Sequence, residues 1–179
     1  MIELSLILCE TTTMSVLLSR HFLIKPDGFS INNTRLHGIT NQIASESGVT
    51  LESIMDEISR DYIAKCNCIA AHGFNFHAVV FYSELSRCGN QDAISSMKLK
   101  RQVCTMFETR TVVKLQKDGS KAGDYKLPSL DELFKYACDE EGLSSTGKLT
   151  TREEENSATK VDKLLQALMK LKERKEYSI

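Results

Sequence analysis

The residues of this chain best suited to chemistry lie between Cys68 and Leu85, in the stretch CIAAHGFNFHAVVFYSEL. A short apolar segment leads to His72, and Phe76 and His77 follow where a helix is predicted to begin. A histidine can act as a general base, and its neutral ring can bind zinc or copper, but it is a poor ligand for Mg²⁺. The stretch therefore offers a base or a metal ligand, although no carboxylate partner for His77 is identifiable.

The composition limits the class of protein. The chain has 179 residues, of which 41% are hydrophobic and 26% charged, as in a soluble globular domain. A net charge of -1 means that nucleic-acid binding would need a local basic patch. Basic residues do concentrate in the middle of the chain, at Lys98, Lys100, Arg101, Arg110, Lys114, Lys117, Lys121 and Lys126. The only aromatic residues there are Phe107 and Tyr125, so a solvated surface is favoured over a phosphate-binding one.

The cysteines and the N-terminal segment indicate the cellular setting. The apolar run in MIELSLILC is short and contains Glu3, which predicts a strand and not a signal peptide. No segment approaches the roughly 20 apolar residues that span a bilayer. The six cysteines lack the paired spacing of a zinc site, so Cys66 and Cys68 are expected to be buried apolar side chains. We predict a soluble intracellular protein with no membrane partner and no confident metal site.

Hydrophobic periodicity predicts the elements that would position these histidines. The β-rich segments Ile2–Cys9 and Val16–Ile24 predict an antiparallel hairpin. Thr50 is the predicted N-cap of a helix that would lie on a sheet. Cys68–Ala71 is wholly apolar, as expected for a strand covered on both faces, and the helix after it should end near Cys88. The sequence thus predicts a strand-helix unit around His72.

In the second half of the chain, Leu99–Thr111 is predicted to be a strand. Capping-box spacing at Ser129–Glu132 and Thr151–Glu154 predicts two helix starts. Between them, a polar segment at about 140–151 predicts a mobile connection. The last helix should bury a stripe formed by Val161, Leu164, Leu165, Leu168 and Met169. The terminal KLKERKEYSI is expected to be a solvated helix end or a frayed tail.

Four motifs in this order resemble those of the DEDDh group of DnaQ-like 3′-5′ exonucleases, in the ribonuclease H-like superfamily. They are IKPDGF at Ile24–Phe29, RLHGIT at Arg35–Thr40, IAAHGFNF at Ile69–Phe76 and KLPSLDEL at Lys126–Leu133. Gln102–Met106 is similar to the family strand after the second motif. Each motif is weak alone, but their colinearity supports the resemblance. It implies an α/β fold in which helices flank a mixed β-sheet, within one domain at residues 1–175.

The chemistry implied by the resemblance is two-metal phosphodiester hydrolysis, in which clustered carboxylates hold the ions and a histidine activates water. The second family motif reads A-H-N-x-x-F-D. His72 and Phe76 match it, whereas Gly73 replaces the asparagine and His77 replaces the metal-binding aspartate. Imidazole in place of this carboxylate should cripple magnesium binding.

The first and the last catalytic motifs of the family are also poorly matched in this sequence. The last motif, H-x-A-x-x-D, is best matched by Asn156, Ala158 and Val161, which loses its histidine and its aspartate. Shifting the alignment by one residue retains Asp162 but fits the apolar stripe less well. For the first motif, D-x-E, Glu10 is the weak candidate, but only fourteen residues separate it from Lys25, too few for the family hairpin. Glu10 is then a turn residue, and the first strand is missing from this sequence.

We therefore predict a catalytically inactive exonuclease-like domain with residual nucleic-acid or protein binding. Its partners would be the 3′ ends of single-stranded nucleic acid or another protein, and Mg²⁺ or Mn²⁺ would be the cofactor of any surviving activity. The substrate-binding positions implied by the resemblance are His37, Gly38, Ile39, His72 and Phe76. For His37, a structural role in the loop is the alternative to substrate binding. For His72, a packing role is favoured over substrate binding.

Two alternatives stay open. One is an active metal-dependent exonuclease known here only as an N-terminally truncated sequence, in which case the coding sequence upstream would supply the first motif. The other is a structural or interaction protein, in which a partner chain completes the sheet.

Overall fold

The computed structural model describes residues 1–116, 119, 121, 123–138, 156–177 and 179. These residues form an α/β structure with two small sheets. The strands are β1 (Glu3–Cys9), β2 (Val16–Leu23), β3 (Cys68–Ala71) and β4 (Arg101–Cys104). The helices are α1 (Thr34–His37), α2 (Asn41–Ser47), α3 (Leu51–Glu57), α4 (Phe74–Arg87), α5 (Gln91–Lys98), α6 (Thr105–Glu108), α7 (Arg110–Val113), α8 (Leu130–Cys138) and α9 (Ser157–Glu173), with a π-helical turn at Ile58–Ile63 after α3. Among the described helices, none is long and apolar enough to cross a membrane.

The predicted N-terminal hairpin is confirmed. Strands β1 and β2 pair antiparallel, with Ser5 opposite His21. In the turn, the Glu10 carboxylate accepts hydrogen bonds from the backbone N–H groups of Thr12 (2.9 Å) and Thr13 (2.5 Å), which lower its pKa to about 2. Met14 adopts a positive φ of 60° there, and its side chain is buried. Glu10 therefore organises the turn that directs Met14 inward.

The prediction of a single mixed sheet is wrong for the described strands, which form two separate sheets. Strands β3 and β4 pair parallel in a sheet of their own, separate from the hairpin. All four residues of β3 are only half-buried, in contrast to the predicted burial on both faces, and β3 pairs with β4 alone among the described strands. The structure supports an α/β class with two short sheets.

The strand predicted at Leu99–Thr111 is correct only for Arg101–Cys104. From Thr105 the chain turns into α6, although threonine favours strands. Thr105 and Thr109 are both fully buried, and the Thr109 hydroxyl donates to the Thr105 carbonyl at 2.7 Å. This local bond satisfies a buried hydroxyl within helical geometry, which overrides the β propensity.

One face of the hairpin lies on the first hydrophobic cluster. Its buried members are Ile24, directly after β2, and side chains of α3, the π-helical turn, α4 and α5, and Leu4, Leu6 and Phe22 of the hairpin pack against them. The predicted N-cap of α3 is confirmed, because the Thr50 side chain accepts from the Ser53 N–H. Helix α4 ends at Arg87, close to the predicted end near Cys88. The first cluster thus anchors the hairpin and the strand-helix unit that carries His72.

The second hydrophobic cluster joins the last two helices to the tip of the hairpin. It contains Leu133 of α8, Leu171 of α9 and Met14, all buried. The capping box that starts α8 is confirmed, because the Ser129 hydroxyl accepts from the Glu132 N–H and the Glu132 carboxylate accepts from the Ser129 N–H. The segments proposed as a mobile connection at 140–151 and as a cap at Thr151–Glu154 lie outside the described residues.

Of the two alternatives for the terminal KLKERKEYSI, the solvated helix end is correct for its first part, because α9 continues to Glu173 and residues 173–176 are exposed, whereas the frayed tail is wrong. Tyr177 and Ile179 pack against the second cluster, and the Tyr177 hydroxyl donates to the Glu108 carboxylate at 2.5 Å. Burial of the phenol is the main cause of a strong rise in its pKa. Together with the fully buried Leu171, these two residues dock KLKERKEYSI on the second cluster, despite its many charges.

Tyr62 in the π-helical turn provides a test of this packing. Its side chain is buried, and its hydroxyl oxygen has no hydrogen-bond partner in the structure. Because an unpaired buried hydroxyl carries a desolvation cost, Tyr62→Phe should leave the free energy of unfolding unchanged or raise it by about 1 kcal/mol. Urea unfolding of both proteins measures the difference. A loss of more than about 1 kcal/mol would mean that the hydroxyl is bonded in solution.

Candidate functional site at the end of strand β3

His72 lies directly after β3 and connects three parts of the chain. Its Nδ1 lies 3.1 Å from the Thr105 hydroxyl at the start of α6, and its Nε2 lies 2.9 Å from the carbonyl oxygen of Pro128, just before α8. A carbonyl can only accept, so Nε2 carries the proton and Nδ1 accepts from the threonine hydroxyl. Both ring nitrogens are therefore engaged in holding the fold.

The surroundings of His72 favour its neutral form. Burial is the largest cause that lowers the pKa of the ring, with a smaller contribution from the nearby His77, whereas the bond to Pro128 raises it. A neutral ring is also required by the bond in which Nδ1 is the acceptor. The packing role predicted for His72 agrees with this geometry.

Phe76 and His77 lie on the first turn of α4 and face solvent. The Phe76 side chain is 72% exposed, and its ring meets the His77 ring edge to face, with centroids 5.5 Å apart. Gly73 precedes the helix with a φ of 83°. The helix start thus presents an aromatic ring and an imidazole to solvent.

The HGIT loop folds as a connection between two short helices. The His37 ring spans the loop, since Nδ1 accepts from the Ile39 N–H at 3.2 Å and Nε2 donates to the Asn32 carbonyl at 3.3 Å. Gly38 has a φ of 73°, which permits the sharp exit from α1, and Ile39 is buried. Each of these residues therefore has a structural role in the loop.

The positions matched to the last motif also have structural surroundings. The Asn156 side chain caps α9 by accepting from the Thr159 N–H at 2.9 Å. Val161 is half-buried, and Asp162 is exposed. Within the part of the chain that the structure describes, no group of three or more histidine, cysteine or acidic side chains could hold a metal ion.

Of the residues singled out in the sequence, the structure groups His72, Phe76 and His77. His37 and Glu10 instead make their bonds within their own loops. Of the basic residues, Lys98 lies over the Tyr82 ring at 5.8 Å and Lys126 pairs with Glu132, while Lys117 lies outside the described residues. These contacts give Lys98 and Lys126 local roles on the surface.

Sequence reasoning missed a second polar cluster, which lies between the hairpin and α9. The Ser5 hydroxyl is 2.8 Å from His21 Nδ1, and the Ser157 hydroxyl is 2.5 Å from that of Ser5. Glu3 Oε1 lies 3.6 Å from His21 Nε2. The cross-strand pair could have been found from the hairpin register, but the contribution of α9 could not, because it comes from 152 residues away.

Comparison of the chain with known protein families, with curated proteins and with solved structures finds no match.

Proposed function

We propose that this chain is a non-catalytic, DEDDh-type exonuclease-like domain that binds the ends of single-stranded nucleic acid. The observation that carries the proposal is the exposed ring of Phe76 on the first turn of α4, which contacts the ring of His77 and follows the motif histidine His72 by four positions. An exposed aromatic ring is a surface on which a base can stack, with a gain of about 1–3 kcal/mol per base.

The absence of hydrolysis is proposed from what now occupies the catalytic positions. His77 offers an imidazole where Mg²⁺ requires a carboxylate oxygen. At the last motif, Asn156 uses its side chain as a helix cap, and Val161 has no polar atom. His72 cannot replace the missing base, because its Nδ1 is already bonded to Thr105. Nucleic acid would then be bound without cleavage.

The stacking role of Phe76 predicts a loss of affinity when the ring is removed. Phe76→Ala should weaken binding of a short, fluorescently labelled single-stranded oligonucleotide by about 5- to 150-fold, given about 1–3 kcal/mol per stacked base. Fluorescence anisotropy at constant salt measures the dissociation constants, with DNA and RNA tested separately. Phe107→Ala is the matched control, since this ring is also 51% exposed but lies on α6. Equal affinity for all three proteins would contradict the stacking role.

The same oligonucleotides test the lack of catalysis. Incubation with Mg²⁺ or Mn²⁺ should release no nucleotides from the 3′ end above the level of a preparation carrying His77→Ala. Metal-dependent release by the native chain that is lost in this variant would instead support the active exonuclease.

A protein-interaction module is the second candidate. All seven residues of β1 and all four of β3 are half-exposed, although helices pack on both strands. An unpaired strand edge can bind an extended segment of another protein. Such a partner should slow amide hydrogen exchange in β1 and β3 while leaving α8 unchanged. A uniform change, or none, would exclude strand addition.

A further inference from the structure

The cluster formed by Glu3, Ser5, His21 and Ser157 has the arrangement of an activated serine. Ser5 and His21 are direct cross-strand partners, which fixes their side chains on the same face of the hairpin. Glu3 is two residues before Ser5 and therefore lies on this face as well. The first residue of α9, Ser157, completes the cluster from above that face. Four polar side chains thus meet where the hairpin contacts the helix.

The contacts of the His21 ring give Ser5 a neighbouring base. Glu3 Oε1 lies 3.6 Å from Nε2, too far for a hydrogen bond, but its negative charge favours the tautomer that carries the proton on that nitrogen. Nδ1 is then the acceptor for the Ser5 hydroxyl at 2.8 Å, and the Ser157 hydroxyl lies farther from it, at 3.4 Å. Ser5 can in turn accept from the Ser157 hydroxyl at 2.5 Å. A serine hydroxyl within hydrogen-bond reach of a histidine that is oriented by a third group is the arrangement that activates a nucleophile.

The surroundings suit a reactive group that a small molecule can reach. The Glu3 side chain is only 14% exposed, whereas that of His21 is 38% exposed. Ser5 and Ser157 are both half-buried. The positive end of the 17-residue helix α9 points at the cluster and favours negative charge that develops there.

We propose that Ser5 is a nucleophile that accepts the acyl group of small activated carboxylic esters, with His21 as its general base. The Ser5 oxygen bonds to the ester carbonyl carbon while its proton moves to Nδ1 of His21. The bond from that carbon to the leaving oxygen then breaks, and the proton passes from His21 to the departing alcohol. Water releases the acid by the same steps and restores the Ser5 hydroxyl. This activity is independent of nucleic-acid binding.

A fluorophosphonate probe tests the proposal directly, because its phosphorus bonds to a reactive serine as fluoride leaves. Intact protein should be labelled once, at Ser5, as identified by peptide mass spectrometry, and Ser5→Ala should abolish the label. His21→Gln keeps a polar side chain but no base, and should slow labelling about 100-fold, at the low end of general-base effects. Ser19→Ala is the matched control on the same hairpin, and it should label at the native rate.

Glu3 acts through His21, so it is a positioning residue. Glu3→Gln retains a partner for the ring nitrogen and should label faster than Glu3→Ala at equal thermal stability. Melting temperatures of every variant separate a loss of reactivity from a loss of folding. Labelling at another serine, no labelling of the folded native chain, or an unchanged rate in folded His21→Gln would each overturn the proposal.

Discussion

Leu171→Ala is expected to lower the free energy of unfolding by about 3 kcal/mol, within the range of about 2–5 kcal/mol for truncation of a buried leucine. Leu171 is fully buried in the second cluster, and its carbonyl accepts the Glu176 N–H at 2.9 Å as the chain leaves α9. Truncation of this side chain would therefore leave a cavity where α8, α9 and the docked tail meet. Urea unfolding followed by circular dichroism measures the loss.

Leu99→Ala is the matched control, because Leu99 is 88% exposed at the end of α5. We expect a change within about 0.5 kcal/mol, as for ordinary surface substitutions. Equal stability of the two variants would mean that the second cluster does not form as described.

His72→Leu is expected to lower the free energy of unfolding by about 3 kcal/mol at neutral pH. Leucine cannot bond to the Thr105 hydroxyl or to the Pro128 carbonyl, and each buried polar group left unpaired costs about 1–3 kcal/mol. The substitution should loosen α6 and the entry to α8 together. His77→Leu changes an exposed histidine and should stay within about 0.5 kcal/mol. A small effect of His72→Leu would contradict the bridging role.

The contribution of His72 should also depend on pH in a defined direction. Its pKa in the folded protein lies below the ordinary 6.5, so below that pH the unfolded chain binds more protons than the folded one. The stability contributed by neutral His72 is therefore complete above about pH 6.5 and is lost as the pH falls towards the folded pKa. The difference in the free energy of unfolding between the native chain and His72→Leu should therefore become smaller at acidic pH. A gap independent of pH would show that the ring does not change its protonation there.

The features that sequence reasoning predicted correctly depend on neighbouring residues. Two β-rich segments predicted the hairpin, and hydroxyl side chains marked the starts of α3 and α8. Thr105 and Thr109 misled the strand assignment because β propensity does not record that a threonine hydroxyl can bond to the carbonyl one helical turn before it. Local signals therefore gave the element types, but not every boundary.

The features that sequence reasoning missed depend on residues far apart in the chain. His72 was recognised as a motif residue, but its partner Pro128 lies 56 positions away, which no local pattern records. Ser5 and Ser157, which are also in contact, are separated by 152 positions in the sequence. Pairing within the sheets was equally unpredictable, since a motif order does not determine which strand edges meet.

The burial of Met14 has a consequence for how the chain is made. Every member of the first cluster lies between Leu4 and Met97, so all of them are synthesised before α9. Met14 instead packs in the second cluster with Leu171, which is 157 positions later (171 minus 14). At about 5–20 residues per second, the ribosome takes roughly 10–30 seconds to cover that distance. During that time Met14 lacks the part of its cluster that α9 supplies, so the apolar tip of the hairpin is covered completely only after the last helix has been made.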